Sequence, residues 1–451
     1  MTGKYLKRII AILVIAALLW LSACGLNYIL VDDTALLSRL TVHDLYTQDQ
    51  IDVLLMGASH CYDGLDPIIV EENTGKTVFN AATSSQPPDV TLALLKDAVK
   101  RYDIKEVYFE TSASLALDVE DCKERTDLTG VYIASDYMPL SFNKIGLLLH
   151  ASSSAHYLNN FFPARRYWDS ILDFDTIATI VKQKNTDEYR HFGHELSRRE
   201  HLWYEHKGFI GSDEHVEDHM YFTDDGQQII DTEAISADWK RYVIELIDYC
   251  QAQGVKLKFF STPVSRFQLV SFVNYDDYIA FIHEICDERG IEYTDFNLLK
   301  EDWFSNSQAL FRDSNHLNSY GAEVFSGIFS QYMNGTLPDD AFYASAEEKI
   351  RTAPPDFCGV SYQDDDETRV RTIRLIASPL GYYEFRVELD ENGKKSLLQD
   401  YDINEYFVLP YEQVFLDSGE GLEVRPKIIV TYRPVGSDEV GKTLTYQYEI
   451  E

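Results

Sequence analysis

The stretch Ile51-Asp-Val-Leu-Leu-Met-Gly57-Ala58-Ser59-His60 places a serine directly after a short apolar run and a glycine. An apolar run of this length that stops at glycine is typical of a strand buried inside a parallel sheet. We expect the serine at the turn into a helix, with its hydroxyl exposed at the carboxyl end of the strand. Taken alone, such a serine is more often a helix cap than a nucleophile.

Strand and helix patterns alternate on either side of a long middle segment. The pattern predicts strands at 51–56, 77–80, 106–109, 255–260 and 291–296, and helices at 66–73, 89–102, 239–253, 275–289 and 319–333. This alternation predicts an α/β region over residues 45–335, a doubly wound parallel sheet with helices on both faces.

Two further segments break the alternation. Residues 115–235 hold eight of the twelve histidines and are predicted to be an insertion. This insertion is either a lid near the mouth of the site or a helical side lobe with ordinary packing. Residues 344–451 alternate apolar and polar side chains and contain the hairpin signal Asp390-Glu-Asn-Gly393. They are predicted to form a small all-β, sandwich-like domain that folds separately.

The amino terminus is an uninterrupted apolar segment. Residues 9–31 carry no charge; Lys4, Lys7 and Arg8 precede them, and Asp32-Asp33 follow. Residues 1–31 are therefore predicted to be a transmembrane signal anchor, with the rest of the chain outside the cytoplasm. Leu21-Ser22-Ala23-Cys24 offers the alternative of a lipoprotein attached through Cys24, which leads to the same location.

Charge and cysteine spacing exclude other classes. The chain carries 74 acidic and 40 basic residues, a formal net charge of −34, which disfavours a nucleic-acid partner. Its six cysteines show no CxxC spacing and do not predict a disulfide framework.

A second motif lies near the end of the α/β region, in Asp313-Ser-Asn-His316-Leu-Asn. At this spacing the Asp313 carboxylate can accept the Nδ1–H of His316, which leaves Nε2 as a base toward a serine. The alternative is that Asp313 caps a turn and His316 is a polar residue at a helix entrance.

Taken together, Gly57-Ala58-Ser59-His60 and Asp313-x-x-His316 resemble the first and last blocks of the SGNH/GDSL hydrolase superfamily. The resemblance spans about residues 51–333 and is greatest to the membrane-anchored branch that acylates polysaccharides and wall polymers. It implies a flavodoxin-like fold with neither metal nor cofactor. It further implies that Ser59 is the nucleophile, that His316 is the base and that Asp313 orients His316.

The motifs depart from this family at the oxyanion hole. Phe79-Asn80-Ala-Ala-Thr-Ser-Ser85-Gln86 resembles the second block, but serine stands where glycine is usual. Glu110-Thr-Ser112 replaces the usual Gly-x-Asn-Asp. The candidate residues for oxyanion stabilisation or substrate binding are therefore His60, Asn80, Ser85 and Gln86.

Two weaker hypotheses remain open. His215 and His219 have the i, i+4 spacing of metal ligands on a helix, although an exposed acidic helix is the simpler interpretation. Cys61 could supply a thiol nucleophile, or it could be a small buried residue.

The sequence predicts an extracytoplasmic serine esterase or O-acyltransferase that acts on a cell-surface polysaccharide through an acyl-enzyme. A multi-span membrane acyltransferase is the expected partner in the case of transfer. The alternative is a non-catalytic glycan-binding protein on a hydrolase-like scaffold.

Overall fold

The first part of the chain joins an apolar helix to three strands of one sheet. The computed structural model describes residues 2–216, 221–223, 228–391, 393–411, 416–417, 423–424, 426–439 and 441–446. Residues Tyr5–Leu30 form a helix that is long and apolar enough to cross a membrane. The elements in order are α1 (Thr2–Leu30), α2 (Leu37–Thr47), β1 (Val53–Met56), α3 (Ser59–Gly64), α4 (Pro67–Thr74), β2 (Val78–Asn80), α5 (Pro88–Arg101) and β3 (Glu106–Glu110).

The middle segment is mainly helical. Its elements are α6 (Ala113–Asp118), α7 (Thr129–Ser135), α8 (Phe142–His150), α9 (Tyr157–Phe161), α10 (Phe174–Lys184), α11 (Asp187–Arg190), β4 (Leu202–His206), β5 (Phe209–Ser212) and β6 (Tyr221–Thr223). A 3-10 helix over Pro163–Ser170 and helix α10 pack against α1, whereas the β4–β5 hairpin lies beside α3. The helices of this segment thus form a side lobe along α1, α2 and α5, and the β4–β5 hairpin contacts the helix that begins with Ser59.

The α/β pattern then resumes and closes the sheet. The elements are α12 (Ala237–Gln253), β7 (Lys256–Ser261), α13 (Arg266–Ser271), α14 (Tyr275–Asp287), β8 (Glu292–Asp295), α15 (Ser319–Met333) and α16 (Ala346–Thr352). The predicted helix at 319–333 has the observed bounds of α15, and the other predicted strands and helices agree to within about two residues.

The five parallel strands lie in the order β2-β1-β3-β7-β8. This order is one of the two common arrangements of doubly wound sheets. Alternate residues of β1 enter different cores: Leu54 and Met56 pack on the side of α5 and α12, and Val53 and Leu55 pack on the side of α15. Both faces of the sheet are therefore covered, and its carboxyl edge stays open for a site.

The C-terminal region forms two four-stranded sheets. Their strands are β9 (Asp356–Asp365), β10 (Val370–Ser378), β11 (Tyr383–Glu391), β12 (Lys394–Asp402), β13 (Tyr406–Pro410), β14 (Leu416–Asp417), β15 (Glu423–Val424), β16 (Lys427–Pro434) and β17 (Thr443–Tyr446). The sheets have the orders β13-β10-β9-β6 and β12-β11-β16-β17, and residues of both contribute to one apolar core. This arrangement is a sandwich-like packing of sheet on sheet.

The C-terminal sheets share contacts with the rest of the chain. Strand β6 of the middle segment pairs in parallel with β9, and Phe267 and Val270 of α13 pack with Cys358 and Ile376. A chain that ended near residue 335 would therefore expose the fully buried Phe267 side chain. The domain boundaries and the independent folding of the C-terminal region both remain predictions.

Strand prediction was incomplete in the C-terminal region. The alternation pattern did not indicate β9 or β12. Strand β9 ends in a run of acidic residues, and β12 is a largely exposed edge strand with few apolar side chains. The alternation also predicts a strand at 444–450; the structure describes Thr443–Tyr446 as β17, and residues 447–450 lie outside the described part of the chain.

Candidate active site

The turn after β1 requires a residue without a side chain. Gly57 has a φ of +153°, and a Cβ atom at this position would lie 2.7 Å from Cβ of Glu110 and 3.1 Å from Cβ of Cys61. Glycine allows the chain to pass between these two buried side chains. The turn leads directly into α3, whose first residue is the half-buried Ser59.

Three side chains from opposite ends of the α/β region meet at this turn. The Oγ atom of Ser59 lies 2.7 Å from Nε2 of His316. The Nδ1 atom of the same imidazole lies 2.9 Å from each carboxylate oxygen of Asp313. A hydroxyl, an imidazole and a carboxylate are thus linked in one hydrogen-bonded chain, with the two ring nitrogens used for different partners.

The loop that carries Asp313 and His316 is held by local hydrogen bonds. Oδ1 of Asp313 accepts the backbone N–H groups of Asn315 and His316, each at 2.8 Å. Asn318 caps α15 by accepting the N–H of Gly321 at 2.9 Å. The carbonyl of Ser314 accepts hydrogen bonds from the N–H and the hydroxyl of Ser265. These contacts fix the imidazole in the orientation that reaches Ser59.

The carboxylate of Asp313 is held in its ionised form. Burial raises the pKa of this group, but the hydrogen bond from His316 and the charges of His316 and Arg312 outweigh that effect. The pKa of Asp313 consequently lies well below its usual range. An ionised partner keeps the proton of the imidazole on Nδ1 and leaves Nε2 free to accept one.

Arg312 connects Asp313 to a second, deeply buried carboxyl group. Its Nη2 lies 2.8 Å from Oδ2 of Asp63, and its Nε lies 3.5 Å from Oδ2 of Asp313. Burial raises the pKa of Asp63 to about 7, against the opposing effect of the Arg312 charge. The sequence motifs do not indicate this pair, because Asp63 belongs to α3 and Arg312 to the loop before α15.

Glu110 is another buried acid that the motifs did not indicate as a site residue. It ends β3 at the carboxyl edge of the sheet, and the backbone N–H groups of Ala58 and Thr262 are directed at its carboxyl group. Burial dominates and raises its pKa to about 8. Its position at the end of a central strand was the one sequence signal that could have identified it.

His60 lies behind the imidazole of His316. The two rings stack with centroids 4.8 Å apart and an interplanar angle of 23°. Burial, together with the neighbouring His316, lowers the pKa of His60 to about 3, so it is neutral at physiological pH. Neither of its ring nitrogens has a hydrogen-bond partner within the part of the chain that the structure describes. The contact with the triad is thus a ring packing contact.

The side-chain amide of Asn80 is engaged within the scaffold. Its Nδ2 donates to the carbonyl oxygens of Cys61 and Leu65 at 2.8 and 3.2 Å, and its Oδ1 accepts the N–H of Ala82. Both amide hydrogens therefore hold α3 against β2. A hydrogen bond within the scaffold competes with one to a ligand, and the role of Asn80 as an oxyanion donor stays a prediction.

The other two candidates of the second block also lie apart from the triad. Nε2 of Gln86 donates to Thr91 and its Oε1 accepts from Thr83, both at 2.9 Å. The buried amide thus stabilises the segment between β2 and α5. Ser85 is exposed with a φ of +47°. No hydrogen bond joins either residue to Ser59, Asp313 or His316 among the described residues.

The structure bears differently on the two weaker hypotheses, a thiol nucleophile at Cys61 and a metal site at His215 and His219. Cys61 is fully buried, and burial together with the Glu110 carboxyl raises its pKa well above its usual range, which disfavours a thiolate nucleophile and favours a small buried residue. His219 lies outside the described residues. Within the described ranges, no group of three or more His, Cys, Asp or Glu side chains is arranged to hold a metal ion.

Comparison with known proteins gives little further information. No protein-family model matches this chain, and no curated protein is significantly similar to it. A protein of Bacteroides fragilis NCTC 9343 that is provisionally named an acylhydrolase is 10% identical, with a TM-score of 0.31, over 66% of this chain and 95% of its own. A protein of Streptococcus pneumonia that is provisionally named a platelet activating factor is 10% identical, with a TM-score of 0.31, over 72% of this chain and 98% of its own. Similarity at this level does not identify a family for this chain.

Proposed function

We propose that this protein is a serine-dependent esterase or O-acyltransferase of the SGNH type. Ser59 is the nucleophile, His316 is the general base and then the general acid, and Asp313 orients His316. The observation that carries the proposal is the chain of hydrogen bonds from Ser59 Oγ to His316 Nε2, at 2.7 Å, and from His316 Nδ1 to Asp313, at 2.9 Å. This is the arrangement by which a neutral hydroxyl is activated.

In the first half of the reaction, Oγ of Ser59 attacks the carbonyl carbon of an ester while its proton passes to Nε2 of His316. The bond from the carbonyl carbon to the leaving alkoxide then breaks, and the alkoxide takes the proton from Nε2. In the second half, water or an acceptor hydroxyl attacks the acyl-serine, and His316 again accepts and returns one proton. Water produces an acid and completes hydrolysis, whereas a sugar hydroxyl produces a new ester.

Backbone N–H groups are the donors that the geometry favours for the oxyanion. Ser59 is the first residue of α3, so its N–H has no acceptor within the helix and lies beside the attacking hydroxyl. The side-chain amide of Asn80 is a less favourable donor because both of its hydrogens are used within the scaffold. Backbone N–H groups alone are sufficient to form an oxyanion hole in serine hydrolases.

We further propose that the substrate is an acyl group on a cell-surface polysaccharide. Two observations support this choice: the apolar helix α1, which would tether the site at the outer face of a membrane, and the resemblance of the two motif blocks to wall-acylating proteins. Transfer would require an acyl donor delivered through the membrane, and a multi-span membrane acyltransferase is the partner expected to supply it.

A non-catalytic glycan-binding protein is the second candidate. The commitment of Asn80 and Gln86 to scaffold hydrogen bonds favours it, because neither side chain is left to stabilise an oxyanion. The two candidates differ in one measurable property, the ability of Ser59 to form a covalent bond with an acyl-like electrophile.

Covalent labelling therefore tests the proposal. We expect a fluorophosphonate to modify Ser59 in the folded full-length protein, with the adduct located by mass spectrometry of the peptide around residue 59. The Ser59→Ala variant should not be labelled, whereas Ser396→Ala, at an exposed serine of β12, should be labelled like the wild type. A folded wild-type protein without an adduct at Ser59 would contradict the enzyme and favour the glycan-binding protein.

A further inference from the structure

The helical side lobe carries a group of exposed apolar side chains. Within 17 residues its surface includes Leu158, Phe161, Phe162, Trp168, Leu172 and Phe174, which are between 38% and 77% exposed. We call these six side chains the lobe face. Single exposed apolar residues are common on soluble proteins, but a group of large ones on one segment marks a surface that meets something other than water.

The lobe face continues the surface of helix α1. Leu158, Phe162 and Trp168 line a groove of about 340 Å³ together with Leu19 and Leu26 of that helix. The backbone N–H of Ala164 donates to Oδ1 of Asn27 at 2.8 Å, which fixes the lobe along the helix. The groove and the lobe face therefore form one apolar surface with the part of α1 that precedes residue 27.

A buried ion pair marks the end of this apolar surface. Nζ of Lys184 lies 2.8 Å from a carboxylate oxygen of Asp33 and donates to the carbonyl of Val31 at 2.6 Å. The chain is charged from Asp32 onward, so a membrane that surrounds α1 ends near residue 31.

The depth of the lobe face follows from helix geometry. The 12 steps from Leu19 to Val31 rise roughly 18 Å along a helix axis, which places Leu19 near the middle of a hydrocarbon core ~30 Å thick and Leu26 in its outer half. Side chains packed beside Leu19 and Leu26 therefore lie at the level of the outer half of the bilayer. At that level the neighbours of an exposed Phe162 or Trp168 are acyl chains.

We propose that the lobe face inserts into the outer leaflet, and that the groove between the lobe and α1 binds a phospholipid acyl chain. Arg165, which also lines the groove, can extend its guanidinium toward the lipid phosphate while its aliphatic stem stays among the chains. The proposal rests on α1 as a membrane span and is independent of the chemistry at Ser59. It makes the protein a tethered enzyme whose body is also seated in the membrane.

Fluorescence quenching of a probe at the lobe face tests the insertion. Full-length protein with a Cys24→Ser background, whose five other cysteines are buried, would carry Phe162→Cys labelled with an environment-sensitive fluorophore. The matched control is Val435→Cys, at a site that is 52% exposed in the turn after β16. Both proteins are reconstituted into vesicles of phosphatidylcholine and phosphatidylglycerol, with either acyl-chain nitroxide lipids or aqueous iodide as quencher.

We expect the nitroxide lipids to quench the probe at residue 162 strongly and iodide to have little effect, with the reverse at residue 435. Quenching at residue 162 by iodide alone would overturn the proposal by placing the lobe face in water. Protection from both quenchers would also overturn it, because a second copy or another protein would then cover this surface. Leu158→Cys provides the same measurement if Phe162→Cys fails to fold. The Ser59→Ala protein should behave identically, which separates this test from that of the catalytic proposal.

Discussion

The two sheet regions of this chain differ in how they bury ionisable groups. At the carboxyl edge of the parallel sheet, Asp63, Glu110 and His60 are all buried, and burial moves each pKa toward the neutral form. The core between the C-terminal sheets is built instead from aliphatic and aromatic side chains. There the buried Arg371 is neutralised directly, because two of its nitrogens donate to the carboxylate of Asp364 at 2.6 Å.

This difference is the one expected between a proposed active site, at the parallel sheet, and an apolar core between the C-terminal sheets. Buried acids with raised pKa values destabilise the folded chain when they ionise, and the two near Ser59, Asp63 and Glu110, are consistent with the proposed active site at this edge. Substitutions in the two regions should therefore differ in their effects on activity and on stability. Changes at the parallel sheet should affect activity more than stability, and changes in the C-terminal core should affect stability more than activity.

The largest effect is expected at the nucleophile and its base. Ser59→Ala and His316→Ala should each lower kcat for a small activated ester by up to about 10⁶-fold, and the double variant should be little worse because the residues act as one unit. The melting temperature should change little, since Ser59 is half-buried and small. Parallel measurement of ester hydrolysis and thermal unfolding checks both. Full activity in Ser59→Ala would contradict the expectation that changes at the parallel sheet affect activity more than stability.

The orienting carboxylate should have a smaller effect. Asp313→Asn retains the size of the side chain but no longer fixes the tautomer of His316, and a loss of about 10⁴-fold in kcat is expected. The comparison of kcat for this variant with that for His316→Ala, across pH 6–9, is the measurement. A loss equal to that of His316→Ala would mean that Asp313 does more than orient the ring.

The packing region should respond in the opposite way. Phe385→Ala removes a fully buried ring from the core between the C-terminal sheets and should reduce the free energy of unfolding by about 3–5 kcal/mol. Activity per folded molecule should stay unchanged. Val408→Ala, at a side chain that is 63% exposed, is the control and should be close to neutral. Lost activity in folded Phe385→Ala would show that the sandwich supports the site.

The smallest effect concerns the pH dependence of stability. Burial raises the pKa of Glu110 to about 8 from an ordinary value of 4.5, so the folded state binds this proton more tightly than the unfolded state does. Stability from this group is complete below about pH 4.5 and is lost as the pH rises through 8. Glu110→Gln cannot ionise and should gain roughly 2 kcal/mol relative to the wild type between pH 6 and pH 9.

Chemical denaturation at several pH values measures that gain. Glu347→Gln, at an exposed glutamate of α16, should leave the pH dependence of the wild type unchanged. Parallel curves for the wild type and Glu110→Gln would contradict the raised pKa and would make the two sheet regions alike in this respect.

The sequence was most informative where the signals are local. The apolar run before Gly57 and the helical period at 319–333 depend on residues close together in the chain, and both elements lie where they were predicted. The motifs also indicated Ser59, Asp313 and His316 as partners, and these side chains are in contact. Their catalytic roles remain predictions.

What could not be predicted depends on contacts between distant parts of the chain. The side-chain amide of Asn80 donates to the carbonyl oxygens of Cys61 in α3 and of Leu65 directly after it. Arg312, in the loop before α15, forms an ion pair with Asp63 of α3. Strand β6 pairs with β9, although more than a hundred residues separate the two strands in the chain. Hydrophobic periodicity indicates which face of an element is buried, but it does not name the partner that buries it.

The hydrogen bond between Ser59 and His316 also has a consequence for the timing of assembly, because the two residues are 257 positions apart in the chain. When the chain is synthesised from its amino terminus, β1 and Ser59 emerge long before His316. Contacts of such separation form late, after the intervening segments have folded. We therefore expect nascent chains, and chains truncated before His316, to have an exposed serine without reactivity, so that reactivity appears only when the α/β region is complete.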